Sequence, residues 1–393
     1  MEVLASLTRV GNWEKVPLQN SLGRVLAEDI IASENSPSAP TSSLDGYAIK
    51  AKDQKLQGLR VLNIDNPAGS DIDIELNDGE AIKTFTGSIM PKGSDTLIPV
   101  ENVGEVGGRL YIDKPVPIGY GVRPVGEVYK KGDTIIPRGT EIGYIEIGVL
   151  ASLNITSVRV FQRPRVAILS TGSEILEVGE ERTNPAQIRS SNNYTIEAMV
   201  RKHGGEPIQL GIVKDDRDSI LEALENSITS GAEFIVTTGG VSVGDYDFVT
   251  DVVEKLGFKK LFHGVRIKPG QHILLATNGY QILLSLPGFA YSSTVTAILY
   301  LLPLIRGYLG QEFQTPTIKA FLKEKLYRRA KNKTEFVACN LQYENGNIFA
   351  GFEGKKVGTS AILTNMLNSA SLVVLPEQGR DLEIGEVVDV IVV

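Results

Sequence analysis

The sequence is poor in cysteine, with Cys339 alone among 393 residues. This excludes both an intramolecular disulfide and a cysteine metal cage. The three histidines, His203, His263 and His272, are scattered without the spacing of a metal site. Because scarce thiols are typical of a reducing compartment, we expect a cytoplasmic protein.

Long apolar runs and an excess of basic residues are also missing. The longest apolar run, around Val295 to Ile305, is too short to cross a bilayer and predicts a buried helix. The segment from Met1 to Val16 has no basic-then-apolar signal pattern. A net charge of -7 argues against nucleic-acid binding through phosphate neutralisation. We therefore expect neither a membrane nor a nucleic acid as a partner.

The sequence contains no Walker loop, dinucleotide fingerprint or serine nucleophile elbow. Its 42% hydrophobic and 22% charged residues are typical of a soluble globular protein. At roughly 150 residues per domain, the length predicts two to three units.

Changes of pattern along the chain predict its organisation. Short β-type runs with turn signals begin at residue 44, after a loop rich in proline and serine, and predict a small β domain at 44–120. That domain is inserted into an elongated connector domain made of residues 1–43 and 121–163. An α/β domain at 164–310 and a C-terminal β-barrel or sandwich at 311–393 follow.

The α/β domain has the clearest pattern. Apolar strand candidates at Val166 to Leu169, Ile208 to Val213, Phe234 to Thr238 and Ile282 to Leu286 alternate with helix candidates. This alternation predicts a doubly wound, mostly parallel sheet. In the last domain, Asn345-Gly346 predicts a hairpin turn.

Three unusual loops follow the strand candidates, where open α/β sheets bind their ligands. Glycines there let backbone N–H groups approach phosphate oxygens, and hydroxyls add donors. The first loop is 170–174 and the third is 286–288. A plain turn explains either of these two, taken singly, about as well. The second loop, 238–247, is too long and specific for that. The candidate binding residues in the loops are Ser170, Thr171, Gly172, Gly239, Gly240, Ser242, Gly244, Asp245, Pro287 and Gly288.

Carboxylates crowd the same rim and would repel a phosphate unless a cation such as Mg²⁺ bridged them. As an alternative, Asp216 or Asp218 begins the next helix as its cap, and Asp245 and Asp247 cap another. The candidate metal ligands are Glu174, Asp215, Asp216 and Asp247.

Two further loops carry candidate residues. Lys268-Pro269-Gly270 follows an apolar run and would place an ammonium at a strand end, where a phosphate or oxyanion could meet it. An isolated lysine is more often only a surface charge. The loop that begins with Thr86-Gly87 is again rich in hydroxyls and glycine, but sequence gives no geometry linking it to the others.

Six motifs together resemble one enzyme family, the molybdopterin molybdenumtransferases, relatives of the gephyrin E domain. The motifs are LDGYAI at Leu44, TGSIMPKGSDTLIPVE at Thr86, PRVAILSTGSEI at Pro164, TTGGVSVGDYDFV at Thr237, IKPG at Ile267 and SLPG at Ser285. The run TGGVSVGDYD is shared with the adenylyltransferases of the same pathway, whereas the LDGYAI loop and the C-terminal β domain are similar only to the metal-inserting branch.

The resemblance implies a four-domain protomer with a molybdopterin-binding α/β domain and a C-terminal barrel. It implies a homodimer, with the active site between protomers and the molybdopterin adenylyltransferase as a partner. It also implies that molybdate or tungstate enters adenylylated molybdopterin with Mg²⁺-dependent release of AMP. The catalytic positions would be Asp45, Glu174, Asp247 and Lys268. Further matching positions are Thr86, Gly87, Asp215 or Asp216, Pro269, Gly270 and Pro287.

Several positions depart from the family pattern. The family motif Gly-Glu-Asp ends here in Val128, so its aspartate is missing. The acidic residue that usually precedes Glu174 is replaced by Ser173. In the C-terminal domain, a stretch that is usually rich in arginine reads Lys333-Thr334-Glu335-Phe336. Where the family usually reads Lys-Pro-Gly-Lys-Pro, this chain has Gln271-His272 as the last two residues. Where the family usually reads Leu-Pro-Gly-Asn-Pro, it has Phe289-Ala290.

Three hypotheses follow. The first is an active metal-insertion enzyme, because Asp45, Glu174, Asp247 and Lys268 are kept. The second is a paralogue that binds or carries molybdopterin without chemistry, suggested by the altered loops. The third, adenylyl transfer from ATP, is favoured only by the shared glycine-rich loop.

Overall fold

The computed structural model describes residues 2–7, 9–70, 73–240, 248–313, 315–330, 332–368 and 370–393. Contacts divide the chain into two compact units. The first unit comprises Met1–Glu28, Arg138–Ile147 and Thr156–Val393, and the second comprises Asp29–Pro137 and Gly148–Ile155. The finer division into four domains stays a prediction.

The first unit contains a six-stranded sheet. Its strands are β1 (Arg165–Thr171), β2 (Glu206–Val213), β3 (Phe234–Thr238), β4 (Lys259–His263), β5 (Leu274–Thr277) and β6 (Ile282–Leu286). Their spatial order is β2-β1-β3-β6-β5-β4. The first four strands in this order are parallel, and β5 and β4 add an antiparallel edge. The four strands predicted from sequence are the parallel ones, so the doubly wound fold is confirmed.

Helices pack on both faces of this sheet because side chains alternate along β1. The helices are α1 (Asn192–Lys202), α2 (Arg217–Thr229), α3 (Phe248–Lys255), α4 (Ala290–Thr296), a π-helical turn (Ala297–Leu301) and α5 (Leu302–Tyr308). Val166 and Ile168 pack in one cluster with α1 and α5, whereas Ala167 and Leu169 pack in another with α2 and α3. The predicted buried helix around Val295 to Ile305 spans the end of α4, the π-helical turn and most of α5.

The C-terminal region of the first unit is a closed five-stranded barrel. Asn345 and Gly346, both with positive φ, form the predicted hairpin turn. Ile267–Lys268 pairs with the barrel strand at Thr334 and Glu335, so Lys268 extends the barrel sheet rather than ending a strand of the α/β sheet. The barrel strands are Thr317–Leu322, Thr334–Glu344, Asn347–Gly351, Ser371–Leu375 and Val387–Ile391, with a 3₁₀ turn at Leu363–Met366.

Shorter elements complete the first unit. Trp13–Pro17 pairs antiparallel with Ser157–Phe161, and Ile175–Leu176 pairs parallel with Ile188–Arg189. The remaining elements are the helix Glu2–Leu7, the 3₁₀ turn Leu18–Asn20 and the helix Tyr144–Ser152, whose sequence runs into the second unit. Among the described residues, no helix is long and apolar enough to cross a membrane.

The second unit is built on another six-stranded sheet. Residues before and after this sheet pair with each other, Ile30–Ile31 with Thr134–Ile136 and Thr41–Ser42 with Val122–Arg123. In spatial order the strands are Thr96–Pro99, Gly46–Ile49, Glu80–Thr84, Leu59–Val61, Arg109–Ile112 and Val103–Val106, with 3₁₀ turns at Ala51–Lys55 and Val100–Asn102.

Candidate functional site

The three predicted loops of the α/β domain meet at the carboxyl edge of the parallel strands. The Ser170 hydroxyl, at the end of β1, lies 2.6 Å from the Thr238 hydroxyl at the end of β3 and donates to Oδ1 of Asn193 at 2.6 Å. The Gly239 N–H donates to the carbonyl of Leu286, at the end of β6, at 3.1 Å. Direct hydrogen bonds therefore hold the loops together.

Two glycines are required where these loops touch. Gly239 has a φ of +93°, and a Cβ there would lie 2.5 Å from the carbonyl oxygen of Thr171. Gly240 has a φ of +66° and is similarly close to Val249. The rest of this loop, with the candidates Ser242, Gly244, Asp245 and Asp247, lies outside the described residues.

The two neighbouring aspartates have different environments. Asp216 is the N-cap of α2, where its Oδ1 accepts from the Ser219 N–H at 2.9 Å and its Oδ2 from the Ser219 hydroxyl at 2.8 Å. The Ser219 N–H, followed by its hydroxyl, lowers the pKa of Asp216. The capping alternative holds for this residue.

Asp215 is left without such partners. Its Oδ1 is buried, and no described residue hydrogen-bonds to it. Partial burial raises the pKa of Asp215, and the charges of Glu174 and Asp216 raise it further. Glu174 itself is exposed on the loop after β1. Asp215 and Glu174 thus form a pair of nearby carboxylates.

A cavity of about 330 Å³ opens beside these loops, and we call it the serine pocket. Ser190, only 6% exposed, contributes a buried hydroxyl with no hydrogen-bond partner among the described residues. The Asn192 amide, at the start of α1, donates to the Gly288 carbonyl at 2.8 Å. The lining comprises Ser170, Ile175, Ile188, Arg189, Ser190, Ser191, Asn192, Gly288, Phe289, Ala290 and Ala361.

A second cavity of about 570 Å³, which we call the basic pocket, lies between the α/β domain and the barrel. Lys268, Arg329 and Lys333 line it, and no acidic side chain among the described residues does. Pro269, Gly270 and Pro287 also line it, together with Ile267, Gln271, His272, Phe289, Ser292, Ala330, Asn332 and Ser360.

Sequence reasoning missed several of these lining residues. Arg189 and Ser190 precede α1, in a polar run to which the sequence analysis assigned no site. The run of consecutive polar residues at the start of this amphipathic helix was the available signal. Arg329 and Ser360 come from barrel loops that no sequence pattern linked to the α/β domain.

The candidates in the second unit form a separate cluster. The backbone N–H and the hydroxyl of Thr86 both donate to Asp45 Oδ1, each at 2.8 Å. These bonds, the backbone one first, lower the pKa of Asp45. The Gly87 N–H donates to the Ser42 carbonyl at 2.8 Å. Val128 lies exposed elsewhere in this unit, at a groove of about 610 Å³.

Family models match this chain in three segments. Residues 1–154 match the MoeA N-terminal region (domain I and II), and residues 167–307 match the "Probable molybdopterin binding domain". Residues 323–393 match the MoeA C-terminal region (domain IV).

Two similar proteins share the name molybdopterin molybdenumtransferase. Molybdopterin molybdenumtransferase from Nostoc sp. is 33% identical over 92% of this chain and 85% of its own length. The protein of the same name from Bacillus subtilis is 30% identical over 98% of this chain and 90% of its own length. A crystal structure of the molybdopterin biosynthesis MoeA protein from Pyrococcus horikoshii OT3 covers all of this chain and 98% of its own, with 29% identity and a TM-score of 0.84. The chain belongs to the molybdopterin molybdenumtransferase (MoeA) family.

Proposed function

We propose that this protein acts in molybdenum cofactor biosynthesis by inserting molybdate or tungstate into adenylylated molybdopterin, with Mg²⁺-dependent release of AMP. The observation that carries the proposal is the basic pocket. Three cationic side chains and no described acidic one line it, and it shares Phe289 with the serine pocket. A metal oxyanion and an organic phosphate substrate could therefore bind next to each other.

The basic pocket suits an oxyanion because its charge is uncompensated by the residues that line it. Lys268 comes from the α/β domain, and Arg329 and Lys333 come from the barrel. Charge-assisted hydrogen bonds from such groups are roughly twice as strong as neutral ones. We assign Lys268, Pro269, Gly270 and Pro287 to this part of the site.

The serine pocket suits the phosphate-bearing pterin. Its unpartnered Ser190 hydroxyl is a ready donor, and the positive end of the α1 dipole lies beside it at Asn192. Other proposed contacts of the substrate are Ser170, Thr171, Gly172, Gly239, Gly240, Ser242, Gly244, Asp245 and Gly288. Thr86 and Gly87 are also proposed to contact the substrate, as the family resemblance implies.

The described carboxylates fit Mg²⁺, which proteins usually bind through one or two carboxylates together with substrate phosphate. Asp215 fits better than Asp216, because its buried Oδ1 lacks a partner while both oxygens of Asp216 are used in capping. Glu174, Asp215 and Asp247 would hold the ion. When bound, Mg²⁺ would neutralise charge on the phosphoanhydride as AMP leaves.

The remaining proposals concern the wider setting. We propose a cytoplasmic homodimer that receives its substrate from the molybdopterin adenylyltransferase of the same pathway. Asp45, held by Thr86, is proposed to complete the catalytic set with Glu174, Asp247 and Lys268. A carrier without chemistry is not favoured, because the relatives at 30–33% identity over nearly the whole chain are named as transferases.

The test is Mg²⁺-dependent AMP release by the variant Glu174→Gln, which keeps the side-chain size but removes the charge. We expect this variant to lose AMP release while the fold is kept, because Glu174 is exposed. Glu181→Gln, an exposed carboxylate beyond the short strand Ile175–Leu176, is the matched control and should behave like the wild type. Unchanged turnover in Glu174→Gln would contradict the assignment.

A further inference from the structure

An unusual aromatic residue separates the two pockets. Phe289 is 63% exposed, although it lines both the serine pocket and the basic pocket. No aromatic ring or cationic side chain among the described residues packs on it. An aromatic ring exposed to this extent at the border of two cavities is accessible to a ligand in either of them.

Hydrogen bonds anchor the backbone on which this ring stands. The carbonyl of Gly288 accepts the Asn192 amide at 2.8 Å, and the carbonyl of Phe289 accepts the Ser293 N–H at 2.8 Å in the first turn of α4. Phe289 thus extends from the anchored start of a helix. Such anchoring reduces the backbone entropy that is lost when a ligand binds here.

The serine pocket around the ring has the chemistry of a heteroaromatic binding site. Ile175 and Ile188 supply apolar surface, and the Ser190 hydroxyl supplies a buried polar group without a partner. A flat heterocycle needs both kinds of surface, apolar for its faces and polar for its edge.

We propose that Phe289 stacks on the pterin ring of the substrate and is a specificity-determining residue of this chain. The inference rests on the proposed function. The pterin, rather than the adenine, is the stacked ring because Phe289 also borders the basic pocket. The oxyanion there must reach the dithiolene, which is joined to the pterin, whereas the adenine lies beyond the phosphoanhydride.

The experiment compares binding of two probes, 6-hydroxymethylpterin and AMP, to the full-length wild type and to three variants. Phe289→Leu removes the ring, Phe289→Tyr keeps it, and Tyr343→Leu removes a 75% exposed ring from a barrel strand as a control. Pterin fluorescence and calorimetry give the Kd values, and circular dichroism checks the fold.

We expect Phe289→Leu to weaken pterin binding about tenfold, in the range known for ring stacking, and to leave AMP binding unchanged. Phe289→Tyr and Tyr343→Leu should bind both probes like the wild type. Equal pterin binding by Phe289→Leu and wild type would overturn the inference, as would a loss confined to AMP. A wild type that binds neither probe would instead contradict the proposed function itself.

Discussion

The Lys333 ammonium contacts Oε1 of Gln271, joining the barrel to the α/β domain within the basic pocket. The Gln271 amide nitrogen in turn lies 2.6 Å from Nε2 of His272, which accepts its hydrogen bond. At this point of the basic pocket the positive charge is therefore supplied by the barrel and faces a neutral side chain of the α/β domain.

Exchanging these two side chains tests whether either domain can supply this charge. Lys333→Gln should weaken molybdate binding about tenfold, because a hydrogen bond to a charged group is worth about 1.5–3 kcal/mol. The double variant Gln271→Lys with Lys333→Gln returns the ammonium and should restore binding. Isothermal titration with molybdate measures both. Lys319→Gln, whose lysine pairs with Asp389 on a barrel strand, is the control. A double variant as weak as Lys333→Gln would show that the α/β domain cannot supply the charge.

Gly239 should tolerate no side chain. Gly239→Ala forces a residue with a Cβ to a φ of +93° and places that Cβ 2.5 Å from the Thr171 carbonyl. We expect a loss of about 2–4 kcal/mol in the free energy of unfolding, the sum of backbone strain and overpacking. Gly257→Ala, with a φ of +80° but nothing within 4 Å, isolates the strain and should lose about 1–2 kcal/mol. Equal losses in denaturant titrations would show that the close contact is unimportant.

Much of the fold could be predicted from sequence because its strands are strongly apolar. All four parallel strands were predicted, whereas Lys259–His263 and Leu274–Thr277 were not. The first is a half-exposed edge strand without a clear alternation. The second forms a hairpin with β6 through a turn that contains Asn278-Gly279, the same hairpin signal as Asn345-Gly346, and this signal was overlooked.

The candidate site was predictable only where one loop carries several functional residues. The glycine-rich loops were identified, since parallel strands deliver them to one edge. The basic pocket was not, because Arg329 and Lys333 are brought beside Lys268 by the long-range pairing of Ile267–Lys268 with a barrel strand. The choice between Asp215 and Asp216 depended on hydrogen bonds that a sequence does not contain.

The Ser190 hydroxyl should matter for binding and not for stability. Because this buried group has no described partner, Ser190→Ala removes an unsatisfied donor and should keep or slightly raise the free energy of unfolding. Substrate affinity should fall about fivefold, as for a lost hydrogen bond.

Ser227→Ala is the contrasting control for this prediction. Its buried hydroxyl donates to the Ala223 carbonyl at 2.8 Å, so the variant should lose about 1 kcal/mol of stability and no affinity. Thermal unfolding and ligand titration of both variants separate the two effects. Unchanged affinity in Ser190→Ala would argue against the serine pocket as the substrate site.

The Asp45 carboxyl should respond to the loss of the Thr86 hydroxyl. Since the Thr86 bonds lower the pKa of Asp45, they stabilise the folded loop fully above the unfolded pKa of about 3.9, and this contribution is lost as the pH falls through the lower folded value. Thr86→Val keeps the backbone bond and removes the hydroxyl bond, so the pKa of Asp45 should rise part of the way. Carboxyl ¹³C NMR titration measures this, and an unchanged pKa would contradict it.

Metal insertion itself is tested most directly by mixing the full-length protein with adenylylated molybdopterin and Mg²⁺, with molybdate or tungstate in parallel, and following AMP release and metal uptake. We predict that at least one oxyanion triggers AMP release together with uptake of its metal. Tight pterin binding without AMP release under either condition would contradict the account and identify a carrier.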